Sequence, residues 1–126
     1  MATPFELGVE VRGARHLPKM DVMGKCDAYC LLSLGGVEKR TNRVEGSFDP
    51  DWCDLAWLPV ATPSASLLVT LMDWSRLSKD KEIGTVRIPA GRLPAAGLPA
   101  RDYAVLSRRG EPLKGHDGLP TVLSLA

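Results

Sequence analysis

Two short segments of the chain gather carboxylates among turn-forming residues, an arrangement that suits a hard cation. The first, residues 17–29, holds Asp21 and Asp27; the second, residues 72–84, holds Asp73, Asp80 and Glu82. Ca²⁺ takes roughly six to eight oxygen ligands at about 2.3–2.6 Å, so the chemistry requires both segments to end in one place. The same segments carry Lys19, Lys25, Arg76, Lys79 and Lys81, which balance the carboxylates and leave the cluster neutral without a cation. Other chemistries find less support. Cys26 and Cys30 lack a paired-thiolate zinc spacing, and neither His16 nor His116 stands at a matching interval. The chain contains no Gly-rich phosphate loop before a helix, no His-Glu-x-x-His and no Gly-x-Ser-x-Gly, so catalysis is not expected.

The elements that must position these segments are strands. Residues 5–12 alternate apolar at odd positions with polar or Gly at even ones, the pattern of a strand with one wet face. Similar runs cover 27–34, 37–44, 52–60, 66–73, 83–88, 103–107 and 121–125. Turn signals separate them at Gly35-Gly36, at Asp49-Pro50, over 61–64 and over 89–99, and the 10 prolines and 12 glycines leave no room for long helices. The expectation is an all-β fold of eight short strands, a β-sandwich or barrel, forming one domain over 1–126. Lys and Arg number 16 against 15 Asp and Glu, so a net charge of +1 provides no global field for nucleic acid. The apolar runs are strand-sized, far short of the roughly 20 residues that span a bilayer. The 3 cysteines cannot all pair and no secretory leader opens the chain, which points to reduced thiols in a cytoplasmic protein; as an isolated domain it is expected to be a monomer.

At this point the sequence resembles a C2 domain, in the topology of the phospholipase C type, and the resemblance implies an eight-stranded antiparallel β-sandwich. The first segment is similar to the family's Leu-x-x-x-Asp-x-x-Gly-x-Ser-Asp-Pro-Tyr, with Leu17, Asp21, Gly24, Asp27 and Tyr29 in place, Cys26 for the Ser and Ala28 for the Pro. Residues 48–54 resemble Asn-Pro-x-Trp-Asn-Glu, with Asp49, Cys53 and Asp54 replacing Asn, Asn and Glu. Residues 73–84 resemble the family's third loop, Asp-x-Asp-x-x-Ser-x-x-Asp-x-x-Gly. The resemblance implies a calcium site built from loop aspartates and completed by anionic lipid. Asp21, Asp27 and Asp73 keep their ligand positions; the next expected aspartates fall on Ser75 and Lys81, with Asp80 one position early. A lysine ammonium has three donors and no acceptor, so it replaces a ligand with a cation. At about 4 Å and an effective dielectric of about 20 it attracts a carboxylate by about 4 kcal/mol before desolvation, which lets Lys81 neutralise Asp21 or Asp73. Calcium binding is therefore expected to be absent or in the weak class of roughly 10⁻⁴–10⁻³ M.

The implied function is a non-catalytic module that targets an anionic phospholipid membrane. Val22 and Met23 in the first segment and Trp74 and Leu77 in the third are the residues expected to meet lipid. Lys39, Arg40 and Arg43 form a basic patch for lipid or a protein partner, although their mixed parity turns only part of the set to one face. The alternative is a protein-interaction or scaffold module. Trp52 resembles the family's buried aromatic, and Trp57, at odd offset from it, is expected on the opposite face as a partner contact.

Overall fold

The computed structural model describes residues 5–20, 25–60, 65–89 and 100–126. Among them eight strands form two four-stranded antiparallel sheets, and no helix occurs. The strands are β1 (Phe5–Arg15), β2 (Ala28–Leu34), β3 (Val37–Arg40), β4 (Asp51–Val60), β5 (Ser66–Asp73), β6 (Lys81–Pro89), β7 (Arg101–Ala104) and β8 (Val122–Leu125). One sheet runs β4-β1-β8-β7 and the other β3-β2-β5-β6.

Alternation decides which side chains meet between the sheets. Leu7, Val9 and Val11 of β1, Cys30, Leu32 and Leu34 of β2, Leu67, Val69 and Leu71 of β5, and Leu123 and Leu125 of β8 are all essentially sealed. Burial pushes the Cys30 thiol far above its ordinary value, with Asp54 adding to the effect, so this sulfur is an inert apolar filler rather than a nucleophile. Cys26, also buried, donates its thiol to the Pro18 carbonyl; the described residues contain no disulfide.

The strand bounds differ from the sequence expectation where a ladder is interrupted or the chain changes sheets. β3 stops at Arg40 instead of 44, because the Thr41 hydroxyl accepts the Cys30 N–H and interrupts the regular ladder before Val44 bridges Ala28 on the same sheet. The seventh strand ends at Ala104 rather than 107: Leu106 has already left its sheet to bridge Thr85 on β6. The register of β1 skips between Val11 and Gly13, which makes a bulge. A Cβ on Gly13 would lie 2.6 Å from an Asp51 carboxylate oxygen and 2.7 Å from the Pro50 carbonyl, so the bulge depends on a residue without one.

Gly84 plays the matching part on β6, where a Cβ would come within 2.6 Å of both Leu113 and Val105. Gly84→Ala is therefore expected to destabilise the fold by about 1–3 kcal/mol, seen as a lower urea midpoint at unchanged m value.

Candidate functional site

β1, β5 and β7 end, and β2, β4, β6 and β8 begin, at the same end of the sandwich. The connections after β1 and β5 therefore do converge, joined by residues 41–50 and 105–121. Asp27, directly before β2, ties three of these segments together. Its N–H donates to an Asp73 carboxylate oxygen at 2.9 Å, its own carboxylate accepts the Gly46 N–H at 2.8 Å, and its carbonyl accepts the Trp74 N–H at 2.9 Å. Asp73 is only 4% exposed, and the ladder register sets it directly opposite Lys81 at the mouth of the β5–β6 connection. Asp21, with Val22 and Met23, lies outside the described residues.

Asp80 turns to the outer face of the β3-β2-β5-β6 sheet. One carboxylate oxygen accepts the Tyr29 hydroxyl in a short hydrogen bond, and the other accepts the Ser75 N–H at 2.9 Å. The Tyr29 bond first, then the Ser75 N–H, hold the Asp80 carboxyl below its ordinary value, with the Arg40 and Arg43 guanidinium groups adding to the effect. Tyr29 is pushed up to about 12, mainly by burial and then by Asp80. A carboxyl depressed in the folded state stabilises the fold above the unfolded value of about 3.9, and that contribution vanishes as pH falls through the folded value. Tyr29→Phe is expected to move the Asp80 titration up towards the ordinary value, followed by the pH dependence of its side-chain carboxyl resonance in NMR. An unmoved titration would remove the hydroxyl as its cause.

Ser75 is used locally: its hydroxyl lies 2.8 Å from that of Ser78 and accepts the Ser78 N–H at 3.2 Å. This turn presents Leu77, at 94% exposure, as its outermost apolar side chain. Among the described residues no group of three or more His, Cys, Asp or Glu side chains stands together in a metal-holding arrangement. Asp27 and Asp80 direct carboxylate oxygens to N–H and O–H donors, and Lys81 occupies the ladder position facing Asp73.

The basic strand joins this loop end from the side. The register pairs Arg40 with Leu31 and Lys39 with Leu32, which puts the two cations on opposite faces. Arg40 stacks over the Tyr29 ring at 4.2 Å and Arg43 over the Trp74 ring at 3.8 Å. Trp74 therefore turns one ring face to a guanidinium, and Arg43 also pairs with Glu45 at 3.1 Å. Between them lies an open concavity of about 420 Å³ lined by Arg40, Thr41, Asn42, Arg43 and Glu45. The guanidinium groups are thus partly immobilised, with donors left for an anion.

Sequence reasoning missed a second set of loop contacts. His16, at φ 59°, places its ring nitrogen 2.8 Å from the Asp117 carboxylate, while its carbonyl accepts the Thr121 hydroxyl at 2.6 Å. His116 stacks on Phe48 at 3.9 Å, and its N–H donates to the Leu17 carbonyl at 3.1 Å. These contacts strap residues 115–121 onto the base of the first connection. Isolated histidines with no periodic pattern gave no signal for them.

The site is thus an antiparallel sandwich with a polar loop cluster at one end and cations stacked on aromatics beside it. A profile of the C2 domain family matches residues 5–104, and the chain belongs to that family. It is 34% identical over 110 residues to Multiple C2 domain and transmembrane region protein 6 of Arabidopsis thaliana, covering 86% of this chain and 11% of that protein. The C2A domain of plant Extended Synaptotagmin 1 superposes with a TM-score of 0.80 at 18% identity, covering 95% of this chain and 89% of that one. The calcium-bound C2A and C2B domains of Extended-Synaptotagmin 2 give a TM-score of 0.77 at 19% identity, covering 95% of this chain and 43% of that one. The chain spans between 4% and 15% of the length of the curated relatives it matches. C2 domains are typically non-catalytic modules that bind phospholipid membranes, proteins or calcium, and no helix among the described residues is long and apolar enough to cross a membrane.

Proposed function

We propose that this C2 module attaches peripherally to anionic phospholipid membranes, with calcium playing a weak role or none. The observation that carries this reading is the pair of stacked guanidinium groups, Arg40 on Tyr29 and Arg43 on Trp74, beside the exposed Leu77. Cations near an anionic surface contribute about 1 kcal/mol each, and Lys79 and Arg76 in the third loop add to the local positive charge. Calcium is secondary because Ser75 and Lys81 stand where aspartates are expected and Asp80 is engaged by Tyr29 and the Ser75 N–H. The name of the Arabidopsis relative, which couples several C2 domains to a transmembrane region, accords with work at a bilayer. A second reading, a protein-interaction module, is favoured by Trp57 on the other sheet, 56% exposed.

The test is co-sedimentation with phosphatidylcholine vesicles, with and without phosphatidylserine, in the presence of chelator. Binding is expected only with phosphatidylserine, and it should fall as salt shortens the screening length from about 10 Å at 0.1 M to about 3 Å at 1 M. Equal binding to both vesicles, or none to either, would refute the reading.

A further inference from the structure

The outer face of the β4-β1-β8-β7 sheet carries the pattern of a second binding surface. Leu55 and Trp57 of β4 are 59% and 56% exposed, a costly display for two large apolar side chains adjacent on one face. The indole lies over Gly8 of β1, where a Cβ would sit 3.0 Å from its ring carbons, so the glycine lets the ring lie against the sheet. The register pairs Glu6 with Pro59, Gly8 with Trp57 and Glu10 with Leu55. A carboxylate therefore stands on either side of the indole along the neighbouring strand. Glu10 pairs with Arg12 at 3.0 Å, and among the described residues no ion pair engages Glu6.

We infer that this face docks a basic, amphipathic helix of a protein partner, its apolar side on Trp57 and Leu55 and its lysines or arginines against Glu6 and Glu10. Charge complementarity selects the occupant: Glu6, which no ion pair among the described residues engages, and Glu10, which Arg12 offsets only in part at an exposed site, repel an anionic bilayer and attract cations, which also favour the indole face. The mode of docking follows from the edge. β4 is an outer strand of its sheet, but it carries Cys53 at φ 56° and Pro59 without an N–H, and both interrupt a regular hydrogen-bonding edge. A partner strand would find only the short stretch between them to pair with, whereas a helix needs only the face. Trp57 lies six residues along β4 from Asp51 at the loop end, about 20 Å at strand rise, so membrane and partner can be held at once. The inference stands independently of the membrane reading.

The probe is a synthetic helical peptide of about 18 residues, about 27 Å long, with leucines along one side flanked by lysines, compared with its glutamate counterpart. The lysine peptide is expected to shift the amide resonances of β1 and β4 and to bind the tighter of the two. Trp57→Ser is expected to weaken it about tenfold or more, the loss typical of a central aromatic contact, and Glu6→Lys with Glu10→Lys to weaken it as well. Thermal unfolding checks that each variant is folded, and Leu55→Ser provides a second apolar variant should Trp57→Ser fail that check. The inference is overturned if the glutamate peptide binds equally, or if folded variants bind unchanged. It is equally overturned if sedimentation shows self-association that Trp57→Ser abolishes, since the occupant is then a second copy. Loss of phosphatidylserine vesicle binding in Trp57→Ser would overturn it too, by making this face a membrane surface.

Discussion

Arg40→Glu with Arg43→Glu is expected to weaken binding to phosphatidylserine vesicles by about 100-fold or more. Each reversal removes about 1 kcal/mol of attraction and adds a similar repulsion, so the pair amounts to about 4 kcal/mol before screening and the existing Arg43–Glu45 pair reduce it. The double variant also loses two stacks, worth about 0.5–1 kcal/mol each at an exposed site, which leaves the sandwich folded. The lysine pair Arg40→Lys with Arg43→Lys separates charge from stacking, because it keeps the cations but not the planar groups over Tyr29 and Trp74. Intermediate binding by the lysine variant is expected in the same vesicle assay. Undiminished binding by the folded glutamate variant would exclude this face from the membrane contact.

The second large effect concerns calcium. The thermal midpoint of the unaltered chain is expected to be the same in about 1 mM calcium and in chelator, whereas a site with Kd near 10 μM would add about 2.7 kcal/mol under those conditions. For a chain of this size that is a rise of several degrees. Ser75→Asp with Lys81→Asp replaces the cation facing Asp73 with an anion and adds a carboxylate to the loop. Its midpoint in chelator is expected to fall through like-charge repulsion and to recover with calcium. A rise of several degrees in the unaltered chain would overturn the role given to Lys81, because a strong site would then exist despite it.

The sandwich was legible because alternation is local. Ser66–Asp73 falls within the bounds the pattern gave, and the odd offset of Trp57 from Trp52 put one ring outside and the other against the core. Illegible were the events that depend on a distant partner. Nothing in 37–44 signals that the strand ends at Arg40, since that follows from Thr41 meeting Cys30 on another strand. The same holds for the hydrogen-bond partner of Asp80. Its partner Tyr29 stands 51 residues away, and the direction of the side chain is a tertiary outcome. The parity of the basic strand separated Lys39 from Arg40, but which ring each arginine would cover required the fold.

The position of β1 between β4 and β8 also governs the order of assembly. Leu7, Val9 and Val11 form one wall of the core, yet one flank of β1 receives its neighbour only when residues 122–125 are available. Such contacts between segments far apart in sequence belong to the slow class of two-state folding, in the range of milliseconds to seconds. On a ribosome adding about 5–20 residues per second, the first hundred or so residues wait several seconds with an unfinished sheet before the last strand can close it. Until then β1 presents an open edge, and carboxylates and bulges of the kind that β1 carries are the features by which natural strands blunt such edges.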